Sequence, residues 1–215
     1  MSEPRVKNVD DQTVARFMAE GCAAVQQVDP ATPCMVGPAP YYKPWKLNDA
    51  YFIDQPNPNI IYTFDYFFPD VFCQESFDGA YSYPSSMPCD TVFKGWTQIL
   101  CPTNRSQVFN IDRDLLESVL LSYPLAFSQR HNVPVLNNQF GVKRAAGDNH
   151  GRARYMTDLL DVFAKHDVHS IYWNWRWHGK STGDHWGGFE VVHDWANGTE
   201  SIDTETLGIF NASWS

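Results

Sequence analysis

No stretch of these 215 residues approaches the roughly eighteen consecutive apolar residues of a membrane-spanning helix. Positive charge is also short. Lys and Arg number 16 against 25 Asp and Glu, giving a formal charge of −9 and a pI near 5.1. That balance argues against nucleic acids and anionic membranes as partners. No glycine-rich phosphate loop follows an apolar run, and Gly147-Asp148-Asn149-His150-Gly151 has too few glycines to serve as one. No Gly-x-Ser-x-Gly elbow marks a serine nucleophile. No Cys-x-x-Cys occurs, and His178, His185 and His193 lack compact ligand spacing, so neither a metal nor an organic cofactor is expected. Internal repeats and low-complexity tracts are missing, as is an apolar leader after Met1.

What the chain does have is a folded protein's composition, 43% hydrophobic and 15% aromatic. Five cysteines (Cys22, Cys34, Cys73, Cys89, Cys101) accompany Asn-x-Ser/Thr sequons at Asn104, Asn197 and Asn211. Together they favour a secreted protein with one or two disulfides, whose front, with its leader, precedes Met1.

The organising stretch runs from Val133 to Arg176. An apolar strand (133–138) is followed by a polar loop and a helix over 152–165. Met156, Leu159, Leu160 and Phe163 give that helix its i, i+3, i+4, i+7 stripe. A second strand (169–174) completes a βαβ unit and implies a parallel sheet. Both strands run into polar or aromatic residues at their C-terminal ends, where parallel α/β folds place their chemistry.

Upstream, Asp10 or Asp11 caps a helix to Gln27 with a stripe of Val14, Phe17, Met18, Cys22 and Val25. Strands are expected at 33–36 and 59–65, with a short helix hidden between them. From Asp70 to about Asn110 no periodicity is visible, and a loop of that length is functional or tied down. Asp112 caps a further helix striped by Leu115, Leu116, Val119, Leu120 and Tyr123, which Pro124 should kink or end. An apolar run at 189–192 and a poor helix near 203–209 close the chain. Alternation of this kind means α/β, as a barrel or a doubly wound sheet.

Read in order, four strand ends resemble the second half of a family 5 glycoside hydrolase, the cellulase-type (β/α)8 barrel. Ser2-Glu3-Pro4 resembles that family's Asn-Glu-Pro acid/base motif. YTFDYFFP places Asp65 and Phe67 where the family has His and Tyr, with Tyr66 between them. Asn138-Gln139-Phe140-Gly141 resembles the nucleophile motif, with Gln for Glu. Tyr172-Trp173-Asn174-Trp175-Arg176 resembles the motif that carries the sugar-platform tryptophan.

The resemblance implies one domain over residues 1–215, a partial barrel of strands 4/5 to 8 with their helices, and a 68–110 loop insertion after strand 6. It implies Glu3 as acid/base and position 139 as nucleophile. Trp173, Asp65, Tyr66, Asn138, Arg176, Tyr41 and Trp45 would bind substrate, a β-linked polysaccharide with β-1,4-glucan first. It also implies a missing N-terminal half-barrel, on the same or another chain. Retaining glycosidases need two carboxylates about 5–5.5 Å apart. Gln139 is an amide, able to bond a hydroxyl but poor as a nucleophile. The departures at 139, 65 and 67 make a non-catalytic carbohydrate-binding descendant the alternative reading.

Overall fold

The computed structural model describes residues 6, 9–54, 59–75, 81–96, 100–101, 103–144, 150–179, 188–195 and 197–214. Its elements begin with helix α1 (Asp11–Val28), strand β1 (Cys34–Val36) and strand β2 (Ile60–Tyr66). Strand β3 (Ser85–Pro88), helix α2 (Cys89–Val92) and strand β4 (Val108–Ile111) follow, then helices α3 (Arg113–Leu120) and α4 (Ala126–His131). Strand β5 (Val135–Phe140), helix α5 (Arg152–Lys165) and strand β6 (Ser170–Tyr172) form the expected βαβ unit. Strands β7 (Arg176–Gly179), β8 (Val192–Trp195) and β9 (Glu200–Ile202) and helix α6 (Thr204–Ser213) end the chain.

The main sheet has the order β1-β2-β5-β6, with β1 and β2 parallel in the register Cys34↔Ile60. Strands rising in sequence order across a parallel sheet, with helices between them, make this a partial (β/α) barrel. The chain divides into two compact units. One comprises Met1–Tyr66, Ser118–Gln139 and Val168–Ser170; the other comprises Phe67–Glu117, Phe140–Asp167 and Ile171–Ser215.

In the first unit, α1 starts where Asp10 accepts the Thr13 N–H at 2.8 Å. Its buried face is Val14, Ala15 and Cys22, packed with Val36, Tyr51, Tyr62 and Phe127. Phe17 and Val25, expected in the stripe, are 61% and 48% exposed. A helical period fixes which residues share a face, not how wide the covered arc is, and here the arc is centred on the 14–18–22 line. A disulfide ties Cys22 in α1 to Cys34 in β1. The helix expected between β1 and β2 is two 3-10 turns, Pro44–Lys46 and Asp49–Tyr51.

Pro124 does not end its helix. A π-helical turn, Leu121–Leu125, widens the backbone around the ring, and α4 continues to His131. Asn132 then closes it in the left-handed conformation at φ 52°.

The second unit buries the stripe of α5: Met156, Leu159, Leu160 and Phe163, joined by Tyr155 and Val162. The described residues of the 70–110 stretch hold more structure than its sequence suggests, because β3 and β4 pair antiparallel and Cys89 is disulfide-bonded to Cys101. Cys73 is a buried free thiol. Tyr83 packs edge-on against Tyr155 and donates its hydroxyl to Asp158 at 2.8 Å. Gly151 permits this approach: a Cβ there would stand 1.8 Å from the Tyr83 carbonyl oxygen.

Candidate functional site

The first unit gathers polar and aromatic groups at the C-terminal ends of β1, β2 and β5. Asp65, on β2, is a carboxylate only 2% exposed. Asn138 Nδ2 donates to its Oδ1 at 3.3 Å, and its backbone N–H donates to the Tyr42 carbonyl at 2.8 Å. Gln139 follows Asn138 on β5 and is half-buried. Asn137 is fully buried and donates to the carbonyls of Phe64 (3.2 Å) and Gln139 (3.1 Å). The first of these bonds ties the end of β5 to β2, and the second stays within β5.

The loop after β1 supplies the aromatics. Tyr41 and Tyr42 stand at φ 61° and 48°, a left-handed pair that bulky side chains rarely adopt. Such backbone persists where surrounding contacts over-determine it, as functional sites often do. Here the Tyr42 N–H is bound to the Pro38 carbonyl at 2.9 Å while its own carbonyl holds Asp65. Tyr51 steadies the same loop: its hydroxyl accepts from the Ala39 N–H at 2.9 Å, and burial pushes its pKa up to about 12. Trp45 is buried with the Lys43 ammonium 5.9 Å from its ring centroid. Tyr66 is fully buried and turns its ring towards Phe64.

In the second unit, Trp173 is half-buried just beyond β6, and its N–H donates to the Phe140 carbonyl at 2.9 Å. A Cβ on Gly141 would lie 2.6 Å from the Trp173 carbonyl oxygen, so the Phe-Gly pair of the motif is needed for that approach. Asn174 Oδ1 is buried with no hydrogen-bond partner among the described residues. Arg176 is given to acids: it meets Asp194 at 2.7 Å and Glu200 at 3.0 Å. Phe67 packs against Phe189, over which Lys143 lies at 5.6 Å, and burial lowers the Lys143 pKa.

Glu3 and His185 lie outside the described residues. His193 is buried with its Nδ1 2.6 Å from Glu190, and no cluster of three His, Cys, Asp or Glu placed to hold a metal occurs among the described residues. Sequence reasoning passed over Lys43 and Asn137. The Asn137-Asn138 doublet at a strand end was the signal available for one of them; Lys43, in an aromatic loop, gave none.

The fold has clear counterparts among solved structures. An endoglucanase, Thermotoga maritima Cel5A in complex with cellobiose, superposes with a TM-score of 0.66 at 18% identity, covering 97% of this chain and 57% of that one. A family 5 xyloglucanase from Paenibacillus pabuli gives 0.65 at 16% identity, covering 100% and 60%. The cellulose synthase subunit Z of Clostridioides difficile gives 0.64 at 18%, covering 97% and 58%. This chain shares the fold of those proteins. It spans three fifths or less of their length. No protein-family model and no curated protein matches the sequence.

Proposed function

We propose that this chain is a carbohydrate-binding relative of the retaining β-glycan hydrolases, taking a β-linked oligosaccharide at the strand ends of Asp65, Asn138 and Gln139. The observation that carries the reading is the Asp65–Asn138 pair beside Gln139, within reach of an aromatic loop. A carboxylate and two amides suit sugar hydroxyls, and aromatic rings suit sugar faces. Solved proteins of this fold were caught with cellobiose and mannotriose, which supports β-1,4-linked ligands. The amide at 139 is why we place binding ahead of glucan cleavage: it cannot form the glycosyl-enzyme.

In this reading Glu3 keeps only the position that the resemblance gives to the acid/base, and polypeptide outside these residues, from the same or another chain, completes the barrel. The 57–60% coverage of the similar structures supports that completion. We assign the protein to an oxidising, extracellular setting. Two disulfides and the exposure of all three sequon asparagines, Asn104, Asn197 and Asn211, support it.

Calorimetric titration with cellotriose and mannotriose beside a reducing-sugar assay tests the proposal. Saturable binding without glucan cleavage is expected. Turnover of cellotriose by the unaltered chain would contradict it, and so would failure to bind any β-linked oligosaccharide.

A further inference from the structure

We infer that Asn197 is this chain's preferred acceptor for an N-linked glycan, delivered from a sugar diphosphate carried on a lipid. The inference rests on the extracellular setting proposed above and goes beyond it by selecting one sequon of three. Asn104, Asn197 and Asn211 each open an Asn-x-Ser/Thr sequence, and all three are exposed. Exposure therefore does not separate them. Local backbone does, because it decides whether the hydroxyl of the third residue reaches the amide of the first.

At Asn197-Gly198-Thr199 it does. The sequon closes the turn between β8 and β9, which pair antiparallel with His193 opposite Ser201 and Asp194 opposite Glu200. The Trp195 N–H donates to the Thr199 carbonyl at 2.9 Å, and the Gly198 N–H donates to the Trp195 carbonyl at 2.9 Å. Gly198 supplies the left-handed φ of 82° that this turn needs, and a Cβ there would meet nothing within 4 Å. Asn197 Oδ1 accepts the Thr199 N–H at 3.0 Å and the Thr199 hydroxyl at 2.8 Å. A backbone N–H only donates, so it fixes which end of the amide is oxygen. The oxygen is held to the turn, and Nδ2 has no acceptor among the described residues. Such a turn is made by neighbours in sequence, so it is available to a transferase while the chain is still folding.

The other two sequons lack this arrangement. Asn211 and Ser213 lie in α6, where side chains two residues apart do not face each other. At Asn104 the turn is closed by backbone, the Gln107 N–H donating to the Asn104 carbonyl at 3.3 Å. No bond joins the Ser106 hydroxyl to the Asn104 amide.

The transfer balances. Asn197 Nδ2 forms a bond to C1 of the donor sugar as the C1–oxygen bond to the diphosphate breaks. The diphosphate leaves with the electron pair of that bond, and Nδ2 gives one proton to a base of the transferase.

Peptide mapping by mass spectrometry tests the inference, on the full chain carried into a eukaryotic secretory compartment by a fused leader. Asn197 should carry glycan in most molecules, at higher occupancy than Asn104 or Asn211. Asn197→Gln and Thr199→Ala should each lose that glycan, and Thr199→Ser should keep it. Both positions are exposed, and mapping the Cys22–Cys34 and Cys89–Cys101 bridges in the same digests shows that each variant has folded. A bare Asn197 beside glycan at Asn104 or Asn211 would overturn the inference and leave the extracellular setting standing. So would equal occupancy at all three, a glycan that survives Thr199→Ala, or three bare sequons in a chain whose bridges have formed. Bare sequons together with free cysteines would contradict both readings.

Discussion

Two buried aspartates, one in each unit, show how differently this chain treats a carboxylate. Asp203 is 7% exposed and is met by a full positive charge: Arg152 Nη2 at 2.7 Å, with the Thr206 N–H at 3.0 Å and the Thr206 hydroxyl at 2.9 Å. Arg152 in turn reaches the Val142 carbonyl and the Thr206 hydroxyl. The network caps α6 and anchors α5, and its charge is spent on the fold. Asp65 is also buried, and the neutral amide of Asn138 donates to one of its oxygens. It stands at the C-terminal end of a parallel strand, beside a strained aromatic loop. A carboxylate neutralised by arginine is architecture; the one at a strand end stands where parallel α/β folds place their chemistry.

The sharpest way to break this contrast is at Arg152. Arg152→Ala leaves Asp203 buried without its counter-charge and should cost about 3–5 kcal/mol in denaturant unfolding. A loss below about 1 kcal/mol would deny the network its structural role. Opening the Cys22–Cys34 bridge with the double serine variant should cost about 2–4 kcal/mol, read the same way on the first unit.

Acid should test the Asp203 network. Burial pushes the Asp203 carboxyl up, but Arg152 and Thr206 more than reverse that, leaving its pKa below the ordinary 3.8. Its stabilisation is therefore fully present above the ordinary value, and is lost as pH falls below about 4 through the lowered folded value. Melting temperature measured from pH 6 to 2 should fall in that window. In Asp203→Asn the fall should be shallower.

Asp65→Asn should behave in the opposite way, with stability changed by about 1 kcal/mol or less and cellotriose affinity reduced about tenfold. The smallest effect is expected at Phe17. Its 61% exposure predicts that Phe17→Ala shifts stability by less than about 0.5 kcal/mol. A core-sized loss there would show that the outward face of α1 is covered in solution.

The sequence was informative wherever structure is local. Helix α5 occupies the predicted residues because four apolar residues at helical spacing and a basic last turn define it without outside help. The βαβ unit followed from it. The outward turn of Phe17 was not legible, since it depends on what packs against α1. Neither was the passage through Pro124, which needed a π-helical turn, nor the β3–β4 hairpin, whose short strands carry no apolar alternation.

The site was legible in its members more than in its wiring. Asp65, Asn138 and Gln139 were each named from strand-end motifs. Their neighbours depended on strand order: Asn138 lies 73 residues from Asp65 in sequence and meets it only because β2 and β5 are adjacent. Arg176 looked available for a sugar until strands β8 and β9 brought Asp194 and Glu200 to it.

The most direct test of the central claim is a backbone amide NMR titration of the chain with cellotriose. Chemical-shift changes centred on Asp65, Asn138 and Gln139, saturating together and weakened in Asp65→Asn, are the predicted result. Saturable changes centred on other residues, or none at all, would contradict the account.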